Sequence, residues 1–380
     1  MWMKNQTKII IWLIVIVIVI AGIWLEVSRK PAEEEVVKIG VVATLTGVGA
    51  YQGQQELRGL ELARDEINEA GGIDGKLIRF IVEDSKAEPA TAATAIKKLI
   101  DVDRIQFVIG DSWTTTTAVM VPIVNRRGVL LISPLATLDD LSKDDMFFRT
   151  MPTTKSMMVP LAKHAYFQMN ARKLGILRQE TPFGIEHARD FRGVFEALGG
   201  EVVGEESFAI TATDVRTEIT KIKDKNPDTI FNLHATGPMM GLLIKQAKEL
   251  GVNVQWLGSW GSENADLLRE YGDIIEGLTY PYPYNVESKN PGVQEFVKAY
   301  QHRYNELPDI TAANSYDALK VLARGLEECG ENTKCVKGFL LSLKDYQGAS
   351  GIFSFDKNGD VVKPIIIKTI KNGQFVPYEE

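Results

Sequence analysis

From Val37 onward, short apolar runs alternate with helical patterns, and this alternation constrains the fold more than any other feature of the chain. The run VKIGVVATL is followed by a helical pattern with Leu57, Leu60, Ala63, Ile67 and Ala70 on one face, stopped by Gly71-Gly72. LIRFIV, a helix opened by Pro89, the run IQFVIG, another helix and VLLIS complete a first series. After about residue 153 the series restarts. It runs through a helix, KLGILR, a helix over 183–198, EVVGEESF, a helix, DTIFNL, a helix over 238–250 and VQWLG. Strands separated by helices of this length build parallel sheets covered on both faces. The expected fold class is therefore α/β, with two doubly wound parallel-sheet lobes, and 380 residues leave room for both.

The last hundred residues read differently. Helical patterns over 292–304, 312–328 and 334–343 precede a strand pair, GIFSFD and KPIIIKTI, with DKNGD as its turn. DKNGD also resembles part of a calcium loop, but apolar strands on both sides favour a plain hairpin. The only cysteines, Cys329 and Cys335 in ECGENTKC, are expected to form a disulfide closing a short loop between helices. Two cysteines and four scattered histidines make no metal site, and no metal is expected.

Residues 9–25, IIIWLIVIVIVIAGIWL, form 17 uncharged residues in succession. As a helix they would span roughly 25 Å, enough to cross a bilayer core. Lys4 and Lys8 precede the run and Glu26 and Glu33–Glu35 follow, so positive charge stays inside and the bulk of the chain lies outside the cytoplasm. The Ala21-Gly22 stretch is a poor cleavage site, so an uncleaved transmembrane anchor is expected, with 1–8 as a short cytoplasmic segment and 26–36 as a polar tether. The net charge of −7 argues against a nucleic-acid surface, and no nucleic-acid partner is expected.

The turn GVVATLTGVGAYQGQQ, residues 40–55, raises the question of a cofactor. A dinucleotide fingerprint needs G-x-G-x-x-G, whereas Gly47, Gly49 and Gly53 are spaced one residue too long. The acids Glu83-Asp84 follow Gly53 by some 30 residues, against about 20 for a ribose-binding carboxylate. No G-x-S-x-G, H-E-x-x-H or G-x-x-x-x-G-K-[ST] occurs. Neither a cofactor nor an enzyme is expected. Two further turns place hydroxyls at strand ends: GDSWTTTTAVMVPI, with Ser112 and Thr114–Thr117, and SPLATLDDL, residues 133–141. Such groups at helix N-termini either cap the helix or receive an anion such as a carboxylate. In open α/β sheets ligands bind outside the carboxyl ends of the strands, which favours the second role.

These segments carry a resemblance. VKIGVVATLTG…GAYQGQQELRGLELARDEINEAGGIDGKLIRFIVED resembles the opening of the type I periplasmic solute-binding proteins, in particular the branched-chain amino-acid (leucine/isoleucine/valine) receptors of ABC importers. FVIGDSWTTTTAVMVPIVNRRGVLLISPLAT, NSYDALKVLARGL and the GASGIFSFDKNGDV ending match the same pattern, in order, from about Val37 to Glu380. The resemblance implies two lobes joined by three hinge crossings, near Met151–Thr153, Tyr280–Tyr282 and Ser350. One lobe is then 37–152 plus 282–350 and the other 153–281 plus 351–380. It also implies a solute held in the cleft by hinge closure and an ABC importer permease as partner; with the apolar run 9–25, the chain is expected to be membrane-anchored and extracytoplasmic.

The family's pocket carries over unevenly. Its carboxylate-binding hydroxyls fall on Thr114 and Thr137, the carbonyl that meets the ligand amine on Leu135, and a first-turn tyrosine on Tyr51 or Gln52. Two second-lobe tyrosines fall on Phe183 and Thr236, and the acid that pairs with the ammonium group falls on Trp260. With Trp113 these residues form the expected site, and Glu263 is the alternative partner for an amine. A small carboxylate, an amino acid foremost, is the expected solute; aromatic or aliphatic acids and amides are alternatives, as is a sensor domain working with a separate signalling chain.

Overall fold

The computed structural model of the chain describes residue 12 and residues 35–378, apart from 144 and 235. The first lobe opens with β1 (Val36–Ala43), α1 (Ala50–Glu69), β2 (Leu77–Asp84), α2 (Pro89–Asp101), β3 (Phe107–Gly110), α3 (Thr114–Arg127), β4 (Leu130–Ser133) and β5 (Phe147–Arg149). Its five strands lie parallel in the order β2-β1-β3-β4-β5. Every residue of β3 and β4 is buried, which is why these runs read as continuously apolar. Pro89 begins α2 and Gly128, at φ 68°, ends α3.

The second lobe repeats this plan with α4 (Thr154–Phe167), β6 (Lys173–Gln179), α5 (Pro182–Ala197), β7 (Glu201–Phe208), α6 (Arg216–Lys223), β8 (Thr229–Leu233), α7 (Gly237–Glu249), β9 (Gln255–Gly258), α8 (Ala265–Tyr271) and β10 (Thr279–Tyr282). Its parallel strands follow β7-β6-β8-β9-β10, the order of the first lobe restated. Each sheet thus reverses its winding once, at β1/β3 and at β6/β8. These switch points are where doubly wound sheets open a crevice for ligands.

The chain then returns to the first lobe through α9 (Pro291–Tyr304), α10 (Ile310–Cys329) and α11 (Thr333–Ser342), with α10 packed along α1. Cys329 and Cys335 are bonded across the α10–α11 junction. The C-terminal strands correct the sequence reading. DKNGD is a hairpin turn, but it joins β12 (Gly351–Phe355) to β13 (Val361–Val362), beside β11 (Tyr346–Gly348), and not to KPIIIKTI. Phe353, Phe355 and Val361 lie in the first-lobe core, with Phe355 edge-on to Phe148 at 5.4 Å. Residues 351–362 therefore belong to the first lobe, and the third crossing falls after Val362 rather than at Ser350. Only β14 (Ile366–Lys371) and β15 (Gln374–Pro377) join the second sheet, antiparallel to β10 and to each other. Arg149, fully buried, fastens the hairpin turn to β5 by donating from Nε to Asp360 Oδ1 at 2.6 Å.

The expected membrane span, residues 9–25, lies outside the described residues apart from Trp12. Among the described residues no helix is long and apolar enough to cross a membrane.

Candidate functional site

The turns after β1 and β3 meet at the first switch point. The glycines of the β1–α1 turn serve packing. A β-carbon on Gly53 would sit 1.8 Å from the Thr44 carbonyl oxygen, and one on Gly49 would sit 1.8 Å from Trp113 Nε1. Small residues there let α1 close onto β1 and let an indole lie against the turn. The five hydroxyl residues of GDSWTTTT divide into two sets. Thr116 Oγ1 donates to Asp111 Oδ2 at 2.9 Å and Thr117 Oγ1 to the Asp111 carbonyl at 3.0 Å, so both are committed inward. Ser112, Thr114 and Thr115 instead line an open cavity. No side chain caps α3, which leaves first-turn N–H groups for a ligand.

Thr137 sits beside this helix end. Its backbone N–H donates to Thr114 Oγ1 at 3.3 Å, while its own hydroxyl, fully buried, has no hydrogen-bond partner among the described residues. The loop that carries Leu135 and Thr137 is held by Arg149, which donates to the carbonyls of Leu138 at 2.7 Å and Ala136 at 3.2 Å. Two buried acids underlie the same floor. Burial pushes the Asp111 carboxyl up to about 6, against hydroxyls of Ser85, Thr116 and Thr44 that hold it down. Burial, and then the charge of Asp111, raise the Glu56 carboxyl well above the usual carboxylate range, and it accepts from Ser112 Oγ.

The cavity, about 320 Å³, lies between the lobes at the carboxyl ends of both sheets. Val48, Gln52, Trp113, Thr114 and Leu135 face it from the first lobe, and Gln179, Glu180, Thr181, Phe183 and Trp260 from the second. Phe183 and Trp260 are edge-on at 6.4 Å. His187 backs Phe183 at 3.9 Å between rings and donates from Nδ1 to the Phe183 carbonyl at 2.8 Å; burial depresses it to about 4, so it is neutral. Trp260 Nε1 is buried without a partner among the described residues, as is Trp113 Nε1.

Gln52, Trp113, Thr114, Leu135, Phe183 and Trp260 are thus brought together, with Thr137 behind Thr114. Tyr51 and Thr236 stand apart. Tyr51 is 42% exposed and turned toward Asp309, outside the cavity lining. Thr236 stands just before α7 without capping it and turns back on His234, its N–H donating to Nδ1 at 3.0 Å. Glu263, the alternative partner for an amine, is held by Lys368 Nζ and by Tyr280 OH at 2.6 Å and does not line the cavity. Gln179, Glu180 and Thr181 escaped the sequence reading, although RQETPFG sits at a strand end before a helix just as GDSWTTTT does.

For metals, Asp139, Glu186 and Asp190 bring carboxylate oxygens within 4.8 Å of one another. Arg189 already pairs with Glu186 at 3.1 Å and with Asp190 at 2.8 Å, which offsets one of the three charges.

The family described as periplasmic binding protein matches residues 36–374. The leucine-, isoleucine-, valine-, threonine- and alanine-binding protein of Pseudomonas aeruginosa is 26% identical over 350 residues, covering 91% of this chain and 90% of that one. The branched-chain amino acid transporter substrate-binding protein LivJ of Streptococcus pneumoniae, solved with isoleucine, is 28% identical at a TM-score of 0.82, covering 90% of this chain and 98% of that one. A solute-binding protein of an ABC transporter from Rhodopseudomonas palustris, solved with 3,4-dihydroxybenzoic acid, shares the fold at 23% identity and a TM-score of 0.81, over 91% of this chain and 96% of that one. With the family matched over nearly all of the described residues, and two lobes of one strand order facing a shared cleft, the chain belongs to the periplasmic binding protein family.

Proposed function

We propose that the protein is the extracytoplasmic solute-binding component of an ABC importer and captures a small carboxylate in the cleft between its lobes. The observation that carries this reading is the cavity at the carboxyl ends of both sheets. Into one end of it opens the uncapped α3, with the Thr114 hydroxyl at its first residue and the unpartnered Thr137 hydroxyl behind. A carboxylate there would gain two charge-assisted hydrogen bonds and the favourable end of the α3 dipole. Lobes joined by three crossings close by a hinge, and the closed form is the shape a permease recognises. Binding at a cleft, not catalysis, is the role this donor set suits. The apolar run 9–25 would tether the protein at the membrane beside its permease.

A thermal-shift screen of the full chain in detergent against amino acids, aromatic and aliphatic acids and small amides tests the reading. A solute present at 100 times its dissociation constant adds about 2.7 kcal/mol of stability. The carboxylate that does so is expected to lose affinity by about 1.5–3 kcal/mol in Thr114→Ala and again in Thr137→Ala. Stabilisation by amides alone, indifferent to both threonines, would refute it.

A further inference from the structure

An ammonium group presents N–H donors and needs acceptors around it. On the second-lobe wall of the cleft Gln179, Glu180 and Thr181 carry acceptor oxygens, but Trp260 and Phe183 do not. Trp260 lines the cavity, is 9% exposed, and carries an indole N–H that can only donate and has no partner among the described residues. Beside it Phe183 offers only a ring. Glu263, three residues beyond Trp260, is taken by Lys368 and Tyr280. Glu180 is the one carboxylate side chain in the lining; it is exposed, and it accepts from Ser207 Oγ at 2.9 Å. The first-lobe end supplies donors in Thr114, Thr137 and the start of α3, and Gln52 and Leu135, which also line it, offer only the neutral acceptors of an amide and a backbone carbonyl. A zwitterionic amino acid would set its ammonium group against the Trp260 N–H, donor against donor, with no buried carboxylate in the lining to offset its charge, whereas an oxygen acceptor in the same place would satisfy the buried indole.

We infer that the solute of this cleft is an organic acid whose second polar group is an oxygen acceptor, of the 2-oxo acid class, and not an α-amino acid. Its carboxylate lies at the start of α3 and its second oxygen accepts from Trp260 Nε1. This rests on the carboxylate-binding reading above and narrows it. The side-chain end of such an acid meets Val48, Leu135 and Phe183, apolar surface that suits either a branched or an aromatic group.

Two matched series test the inference by titration calorimetry of the full chain in detergent. The first is leucine, 4-methyl-2-oxopentanoate and 4-methylpentanoate; the second is phenylalanine, phenylpyruvate and 3-phenylpropanoate. Within a series only the group at C2 changes. The expected result is that, in at least one series, the oxo acid binds tenfold or more tighter than the amino acid. Trp260→Phe, which keeps a ring and removes the N–H, should then weaken the oxo acid at least fivefold more than it weakens the unsubstituted acid. The amino acid binding as tightly as the oxo acid, or Trp260→Phe weakening oxo and unsubstituted acids alike, overturns the inference while leaving the carboxylate site standing. Failure of all six acids at millimolar concentration overturns the carboxylate reading itself. The wild-type comparison within a series decides the matter even if Trp260→Phe folds poorly.

Discussion

Gly53→Ala separates a packing role for the glycine turn from a ligand-cradling one. Gly53 lies in the first turn of α1, where alanine is the better helix former by about 1 kcal/mol. Propensity alone therefore predicts a more stable protein. Against this, the new β-carbon would stand 1.8 Å from the Thr44 carbonyl oxygen. To restore a van der Waals separation of about 3.5 Å, α1 must withdraw from the end of β1 by roughly 1.5–2 Å. Neither side yields cheaply, since α1 is packed along α10 and β1 is paired on both edges. Overpacking of this kind costs about 1–3 kcal/mol and exceeds the propensity gain where backbone must move. The expected result is a net loss on the order of 1–2 kcal/mol, a fall of several degrees in melting temperature by calorimetry. Gly49→Ala is the control. Its β-carbon meets side chains and not backbone, Trp113 Nε1 at 1.8 Å and Thr44 Cγ2 at 2.9 Å, so stability should fall less than in Gly53→Ala while solute affinity falls as the indole is displaced in the cleft. A Gly53→Ala protein as stable as the wild type would refute the packing argument.

Two other perturbations probe the frame around the site. Arg149→Met leaves Asp360 and the Ala136 and Leu138 carbonyls without their buried donor and should cost about 3–5 kcal/mol in chemical denaturation, with a loss near zero counting against the fastening role of Arg149. Asp111 titrates at about 6 when folded and at about 4 when unfolded, so between these values the folded protein holds the extra proton and stability from this group falls as pH rises, the loss being complete above about 6. Burial also pushes Asp309 and Asp317 up to about 6, so Asp111→Asn should lessen, without abolishing, the fall of unfolding free energy between pH 4 and 6; an unchanged slope would show that Asp111 does not contribute to it.

Much of this architecture was legible because the period of the apolar pattern switches between strand and helix at nearly every junction. The fully buried β3 and β4 could hardly be read otherwise, and β7 coincides with EVVGEESF. The C-terminal strands were misread because GIFSF and PIIIKTI are both apolar and flank a good turn. Nothing local says that two valines, Val361 and Val362, complete the hairpin while the next strand crosses to another sheet. Phe148, some 200 residues away, decides where β12 lies. The site was legible where a residue type implies a role at a strand end, as with Thr114, and not where side-chain direction decides. Thr116 and Thr117 differ from Thr114 only in facing Asp111, and Thr236 is lost to the cleft because His234 offers it a nearer acceptor.

The central claim is that the start of α3, with Thr114 and Thr137, holds the carboxylate of a solute enclosed between two lobes. A crystal structure of the protein with the acid that titrates most tightly tests it most directly. The account predicts a carboxylate oxygen about 2.6–3.0 Å from Thr114 Oγ1 and from Thr137 Oγ1, with residues of both lobes in contact with the solute. A solute bound with its carboxylate toward Trp260, or seated against one lobe alone with both threonine hydroxyls unengaged, would contradict it.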